Sequence, residues 1–310
     1  MAKKPVILTT RSLKARLWEN WDLYLFCLPG ILLTLIYHYI PIYGIQIAFR
    51  DFSISRGFWN SPWVGLKHFI RFFNGPNAWL IIRNTLVLNV YSLIAGFPAP
   101  ILLAVALNSF RWKKYQKVIQ AVTYAPNFIS TIVMCGMIIL FLSPRSGMVN
   151  QLLGILGVSP VNFMAERAMW RHIYVWTGVW QSMGYSAVIY FAALAGVNPE
   201  LHEAAIVDGA TKVQRIWHID IPTITPTIVM LFIMAIGGMM GSNFDKVYAL
   251  QNPLNLTVSE NIATYTYKMG ILNSDMSYST AIGLWNSAIN AVLLVAANSI
   301  SRKLADFALW

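Results

Sequence analysis

Six apolar runs set the rhythm of the chain, at approximately 23–47, 81–107, 118–142, 172–196, 222–243 and 279–300. Each is near the roughly 20 residues that carry an α-helix across a bilayer. The pattern predicts an all-α membrane protein with six transmembrane helices. Pro29 and Pro41 predict a kink or a shortening of the first run. The third run opens with Pro126-Asn127 inside its first turns, and the fifth carries Gly237, Gly238 and Gly241. Ahead of the first run, residues 1–22 form a basic leader with Lys3, Lys4, Arg11, Lys14 and Arg16. Leu13, Leu17, Trp18 and Trp21 share one side of a helix there, as an interfacial amphipathic segment requires. The apolar run behind the leader is too long for a signal peptide, and no small-residue cleavage site ends it. An uncleaved first span is expected, and residues 23–310 read as one membrane domain.

The polar stretch Asn198 to Pro222 is different in kind from the other interruptions. Asn198 can cap a helix, Pro199 suits its first position, and Glu200 puts negative charge in its first turn. Leu201, Ala204, Ala205 and Ile206 give a small apolar face, and Gly209 stops the helix. Thr211 and Gln214 have capping-box spacing, so a second helix starts at once. The expected object is a bent pair of short helices at a membrane surface. Its small residues allow close approach by a partner.

Composition agrees with a membrane chain. Of 310 residues, 57% are hydrophobic and 11% charged, against about 25% charged in soluble domains. The net charge of +11 does not imply nucleic acid, because no basic face survives outside the spans and no nucleic-acid motif is present. Cations near span ends suit anionic lipid headgroups. An orientation with both termini inside places 13 lysines and arginines inside and 10 outside. The short Arg111-Trp112-Lys113-Lys114-Tyr115-Gln116-Lys117 loop is its best support. The first outer loop, 50–80, holds Phe52, Phe58, Trp59, Trp63, Phe69, Phe72 and Phe73, and reads as packed interfacial structure. Cys27 and Cys135 lie inside apolar runs and form neither a disulfide framework nor a metal pattern.

Marks of an enzyme are missing from the sequence. There is no Walker-type phosphate loop and no Gly-x-Ser-x-Gly elbow. His202-Glu203 begins like a zinc-protease motif, but the second histidine is replaced by Ile206. The five histidines are scattered, so no metal site is expected. Charged groups within the runs are almost nil, which argues against a proton relay or an ion-coupled carrier. The runs do hold neutral polar and aromatic groups. Trp176, Trp180, Gln181, Gly184, Tyr185 and Tyr190 fall in the fourth, Asn243 ends the fifth, and Trp285, Asn286 and Asn290 fall in the sixth. Rings beside amides and hydroxyls suit a sugar, but they equally suit interfacial belts and helix–helix glue. Trp176 reads as belt. For Trp180, Tyr185, Asn243 and Asn286 both readings stand.

Glu203-Ala204-Ala205, three residues, Gly209, nine residues and Ile219-Asp220-Ile221-Pro222 resemble the EAA signature of bacterial ABC importer permeases. Ile221 departs from it, standing where the family usually has leucine. The resemblance implies six helices, cytoplasmic termini and a place in the bacterial cytoplasmic membrane. It implies a second, non-identical permease subunit, two cytoplasmic ABC ATPases and an extracytoplasmic solute-binding protein. ATP and magnesium would be held by the ATPases, with no cofactor on this chain. Glu203, Ala204, Ala205, Asp208, Gly209, Ile219 and Pro222 would form the ATPase-coupling surface, with Glu203 the foremost contact. Trp180-x3-Gly184-Tyr185 is similar to the fourth-span segment of maltose-type permeases, which makes Tyr185 the first pathway residue to consider, followed by Trp180, Gly184, Asn243 and Asn286. The segments around 243–253, 264–270 and 281–285 look like those of oligosaccharide permeases, alginate and other uronide importers among them. An anionic substrate would agree with the cationic outer segments Arg50 to Arg83 and Arg145 to Arg171, which serve a headgroup-facing surface equally well. The alternative is a carrier or channel for a small polar solute that works without ATP.

Overall fold

The computed structural model describes residues 19–305 apart from 111 and 242. Most of the basic leader, including Trp18, and Arg111 of the short loop therefore lie outside the described residues. Among the described residues the fold is helical, and the one strand-like pairing is an isolated bridge between Arg50 and Trp63.

Four helices are long and apolar enough to cross a membrane: Trp21–Phe49, Ala78–Asn108, Lys212–Gly237 and Met276–Lys303. The third apolar run does not form one straight span. Lys113–Phe128 and Thr131–Phe141 meet at 96°. Pro126 sits in a tight 3-10 turn, Ala125–Phe128, and Ile129 is extended. Ser130 then caps the next helix by accepting the Val133 amide at 3.4 Å. A proline that removes a backbone donor and a serine that restarts the ladder make the corner between them. The fourth run becomes Arg167–Ala195, 29 residues long. It is long enough to span, at about 43 Å. Its tryptophans, tyrosines, Gln181 and serines leave it less apolar than the four above.

Apolar burial drives little association between helices in lipid, so close packing and hydrogen bonds matter more. The Arg167–Ala195 helix is the hub. Trp170, Tyr174, Val175 and Val179 pack with Leu88, Met134, Cys135, Ile138, Val247 and Leu250. Nearer the other end, Ala187, Tyr190 and Leu194 pack with Ala104 and Ile224. Small residues set two of the tightest approaches. A Cβ added at Gly184 would fall on the Thr123 carbonyl, and one at Gly237 would lie 2.6 Å from a Leu294 methyl.

The first loop is packed, as its aromatics suggest. Arg50 Nη1 donates to the carbonyls of Phe58, Trp59 and Ser61, and Phe49 stacks on Trp63 at 5.5 Å. Arg71 pairs with Asp275 at 2.6 Å, and the Phe52 amide donates to Ser277 Oγ, tying the loop to the last helix. The 245–278 segment is held by amides. Buried Asn255 donates to the Met164 and Leu250 carbonyls, and Asn84 donates to those of Thr257 and Glu260. By contrast, residues 21–43 of the first helix are exposed throughout.

Candidate functional site: a coupling elbow and a polar cavity

The elbow forms from the local signals in its sequence. Asn198 accepts the Glu200 amide at 3.1 Å and starts the helix Pro199–Val207. Gly209 takes φ +79°, the left-handed conformation that favours glycine. Thr211 and Gln214 close a reciprocal capping box. The second helix is not the separate short one that the sequence suggests. Lys212–Gly237 is continuous for 26 residues and passes through a π-turn at Ile216–Asp220. Pro222 has no N–H to give the His218 carbonyl, which fits a widened turn at this point.

Glu203, Ala204, Asp208, Gly209 and Pro222 are exposed, and Ala205 and Ile219 are half-buried. Leu201, Ile206, Val207, Val213 and Trp217 also stand exposed on the elbow. A polar seam on its other side holds it to the bundle. Lys212 Nζ donates to the Ser109 carbonyl at 2.6 Å. His202 Nε2 lies 3.2 Å from Oδ1 of Asp220, which is only 4% exposed. This is a close approach and not an aligned hydrogen bond, since Oδ1 has no hydrogen-bond donor among the described residues.

The second site is a set of three cavities between Ala78–Asn108 and Arg167–Ala195, all touching Gly96; Lys212–Gly237 walls two of them, and Asn243 with Lys246 walls the other. One, of about 390 Å³, is lined by Tyr185 with Phe97, Pro100, Ile189 and Leu231. The next, of about 250 Å³, is lined by Ser92, Gln181, Ser182, Asn243 and Lys246. The third, of about 330 Å³, adds Asn89, Gly238 and Gly241. Tyr174, Gly178, Ser182, Tyr185 and Ile189 follow the three-to-four spacing of one helical stripe, so a single face of Arg167–Ala195 serves this surface.

The structure thus places Tyr185 and Asn243 on two cavities that meet at Gly96. It separates Gly184 from them. That glycine faces Thr123 and the bent third segment, where it permits helix packing. Trp180 is exposed and lines none of these cavities. Asn286 lies on the last helix, and its buried Oδ1 has no hydrogen-bond partner among the described residues. Asn290 accepts the Met240 amide at 2.8 Å and fastens the glycine-rich end of Lys212–Gly237.

Sequence reading alone passed over Lys246, which is 3% exposed although it lies in a segment expected outside the spans. Its helix, Phe244–Leu250, is capped by Asn243, whose Oδ1 accepts the Lys246 amide at 3.2 Å. Asn243-x-x-Lys246 was the available signal, since a capping asparagine holds the third residue's backbone beside it.

The family model for the binding-protein-dependent transport system inner membrane component matches residues 76–306. Protein LplB of Bacillus subtilis (strain 168) is 39% identical over 285 residues, covering 92% of this chain and 89% of that protein. The polygalacturonan/rhamnogalacturonan transport system permease protein YteP of the same strain is 38% identical over 296 residues, covering 96% and 92%. A chain of the solved bacterial ABC transporter involved in the import of the acidic polysaccharide alginate superposes with a TM-score of 0.88. It is 35% identical, and the match covers 94% of this chain and 99% of that one. With the signature elbow in place at the foot of a continuous span, this chain belongs to the family of binding-protein-dependent ABC transporter inner membrane components.

Proposed function

We propose that this chain is one of two membrane subunits of an ATP-driven importer for acidic oligosaccharides in the bacterial cytoplasmic membrane. Similarity to a polygalacturonan/rhamnogalacturonan permease and to an alginate transporter chain supports the substrate class. The observation that carries the mechanism is the continuity of Lys212–Gly237. Its foot belongs to the exposed elbow and its far end borders the polar cavities.

In this reading two cytoplasmic ATPases bind ATP and magnesium and do the hydrolysis, and this chain is not an enzyme. The helix Pro199–Val207 docks in a groove of one ATPase, with Glu203 and Asp208 meeting cationic donors there and Ala204, Ala205 and Gly209 permitting close approach. Closure of the ATPases moves the elbow, and Ile219 and Pro222 carry the motion into the fifth span. Both termini and the elbow lie on the cytoplasmic side. The exposed residues 21–43 face lipid and a second, non-identical permease subunit. A solute-binding protein delivers the sugar to the opposite side. One of the similar solved structures is a complex with an alginate pentasaccharide-bound periplasmic protein.

Reconstitution of the full complex tests this. ATP-dependent uptake of an oligogalacturonate or oligoalginate, absent when the ATPase cannot hydrolyse ATP, is the expected result. Uptake that proceeds equally without ATP would establish a carrier or channel instead.

A further inference from the structure

The buried ammonium of Lys246 has no counter-charge among the described residues. Its Nζ donates to the Tyr174 carbonyl at 2.8 Å and sits 4.9 Å from the Tyr174 ring centroid. No carboxylate lies within ion-pair distance of it among the described residues. One hydrogen bond and one ring face leave a three-donor cation under-satisfied, and an uncompensated buried charge is costly. Space has been kept for it nonetheless. A Cβ at Gly178 would stand 3.0 Å from Nζ, so the absence of a side chain there leaves the ammonium room.

What surrounds Lys246 suits a ligand that brings the missing charge. The cavity it lines also carries Asn243, Gln181, Ser182 and Ser92. An amide donor or hydroxyl beside a fixed cation is the usual means of holding a carboxylate while also hydrogen-bonding neighbouring hydroxyls. A second cationic group lies on Arg167–Ala195, two turns before Gly178. Arg171 donates through Nη2 to Asn84 Oδ1 at 3.1 Å, and its buried Nε has no partner.

We propose that Lys246, with Asn243, Gln181 and Ser182, forms a carboxylate-binding subsite in the translocation pathway and makes that pathway selective for uronate sugars over neutral ones. This rests on the importer reading above. Lys246 supplies the charge, Asn243 holds the helix that carries it, and Gln181 and Ser182 meet the hydroxyls beside the carboxylate. Gln181 is held in turn by a hydrogen bond from its Nε2 to the Ile129 carbonyl at 2.9 Å.

The experiment uses the whole transporter in proteoliposomes with its binding protein in excess. ATP-dependent uptake is measured for tetragalacturonate and for its carboxyl-reduced, neutral counterpart. Wild type is expected to favour the acidic sugar. Lys246→Met should lower the acidic-to-neutral uptake ratio roughly tenfold to a hundredfold, the range for a charge-assisted hydrogen bond. Lys246→Arg should keep the preference, which a purely structural role for the side chain would not explain. Should Lys246→Met not assemble, Lys246→Gln is read in the same way. An acidic-to-neutral ratio unchanged in an assembled, charge-free variant overturns the subsite and leaves the importer reading standing. Wild type that imports neither sugar with ATP removes both.

Discussion

His202 and Asp220 sit 18 positions apart in sequence, yet Nε2 of the first lies 3.2 Å from Oδ1 of the second. The contact closes the elbow on itself. It ties Pro199–Val207 to the buried foot of the fifth span, while Lys212 ties the same corner to the end of Ala78–Asn108 through the Ser109 carbonyl. In the importer proposed above, a push on the exposed helix would reach the span through this side-chain contact as well as through the backbone. His202→Ala removes an imidazole packed against a buried carboxylate without breaking an aligned hydrogen bond, and should cost about 1 kcal/mol of stability or less. Asp220→Asn keeps the shape and removes the charge. It should lower substrate-stimulated ATP hydrolysis several-fold in a complex that still assembles. A double-mutant cycle on stimulated hydrolysis checks the pairing, and additive losses would overturn it.

Glu203 and Gly209 separate coupling from folding. Glu203 is exposed and has no ion-pair partner among the described residues. Glu203→Lys should then change folding stability by no more than about 0.5 kcal/mol, while uptake and stimulated hydrolysis collapse. Gly209 has open space around its α-carbon but a φ of +79°. Gly209→Val should therefore strain the backbone by about 1–2 kcal/mol and loosen the bend. Thermal unfolding of the purified complex, run beside transport assays, distinguishes the two behaviours.

Gly184 and Tyr185 are neighbours on one helix with opposite assignments. Tyr185→Ala should reduce uptake without loss of assembled complex, because the ring is exposed to the largest of the three cavities. Gly184→Val should reduce the yield of folded protein instead, because its side chain would collide with the Thr123 carbonyl and the Tyr124 amide. Size-exclusion yield and uptake per assembled complex read the two effects independently.

Lys246 gives a pH signature. It lies on Phe244–Leu250, outside the spans, and burial holds its ammonium down to about 8, below the 10.5 of an unperturbed lysine. Tyr174 and Cys135 face it, and Asp245 adjoins it on its own helix. Below about pH 8 the side chain is charged in the folded protein, and the charge is lost as pH rises through that value. Oligouronide uptake should fall across this range while neutral-sugar uptake holds. Folded stability should move the other way. Between about 8 and 10.5 the unfolded chain binds the more protons, so burial is penalised less as pH rises. Lys246→Arg should remove the dependence, as followed by initial uptake rates from pH 7 to 9.5.

Local chemistry was the legible part of the sequence. Asn198, Gly209 and the Thr211–Gln214 box marked the elbow because caps and turns act over three or four residues. Apolar length marked the spans because hydrocarbon thickness sets it. The 96° corner was not legible from apolar length, because the two segments together are long enough and apolar enough for one span, although Lys113–Tyr124 is far more polar than Thr131–Phe141. Lys246 was passed over because a lysine just past a span reads as solvated. Its burial depends on Tyr174 and Cys135, 72 and 111 residues away. Asn252 belonged to the segment that looked like an oligosaccharide permease, and in the fold it and Asn255 both donate to the distant Met164 carbonyl.

The unbroken Lys212–Gly237 helix has a mechanical consequence. At 26 residues it is a stiff strut about 39 Å long. Ile224 and Ile233 bury one face of it in the packed interior. A rod held in this way cannot bend locally, so in the importer proposed above any tilt of its foot near Trp217 would displace its tip at Gly237 as well.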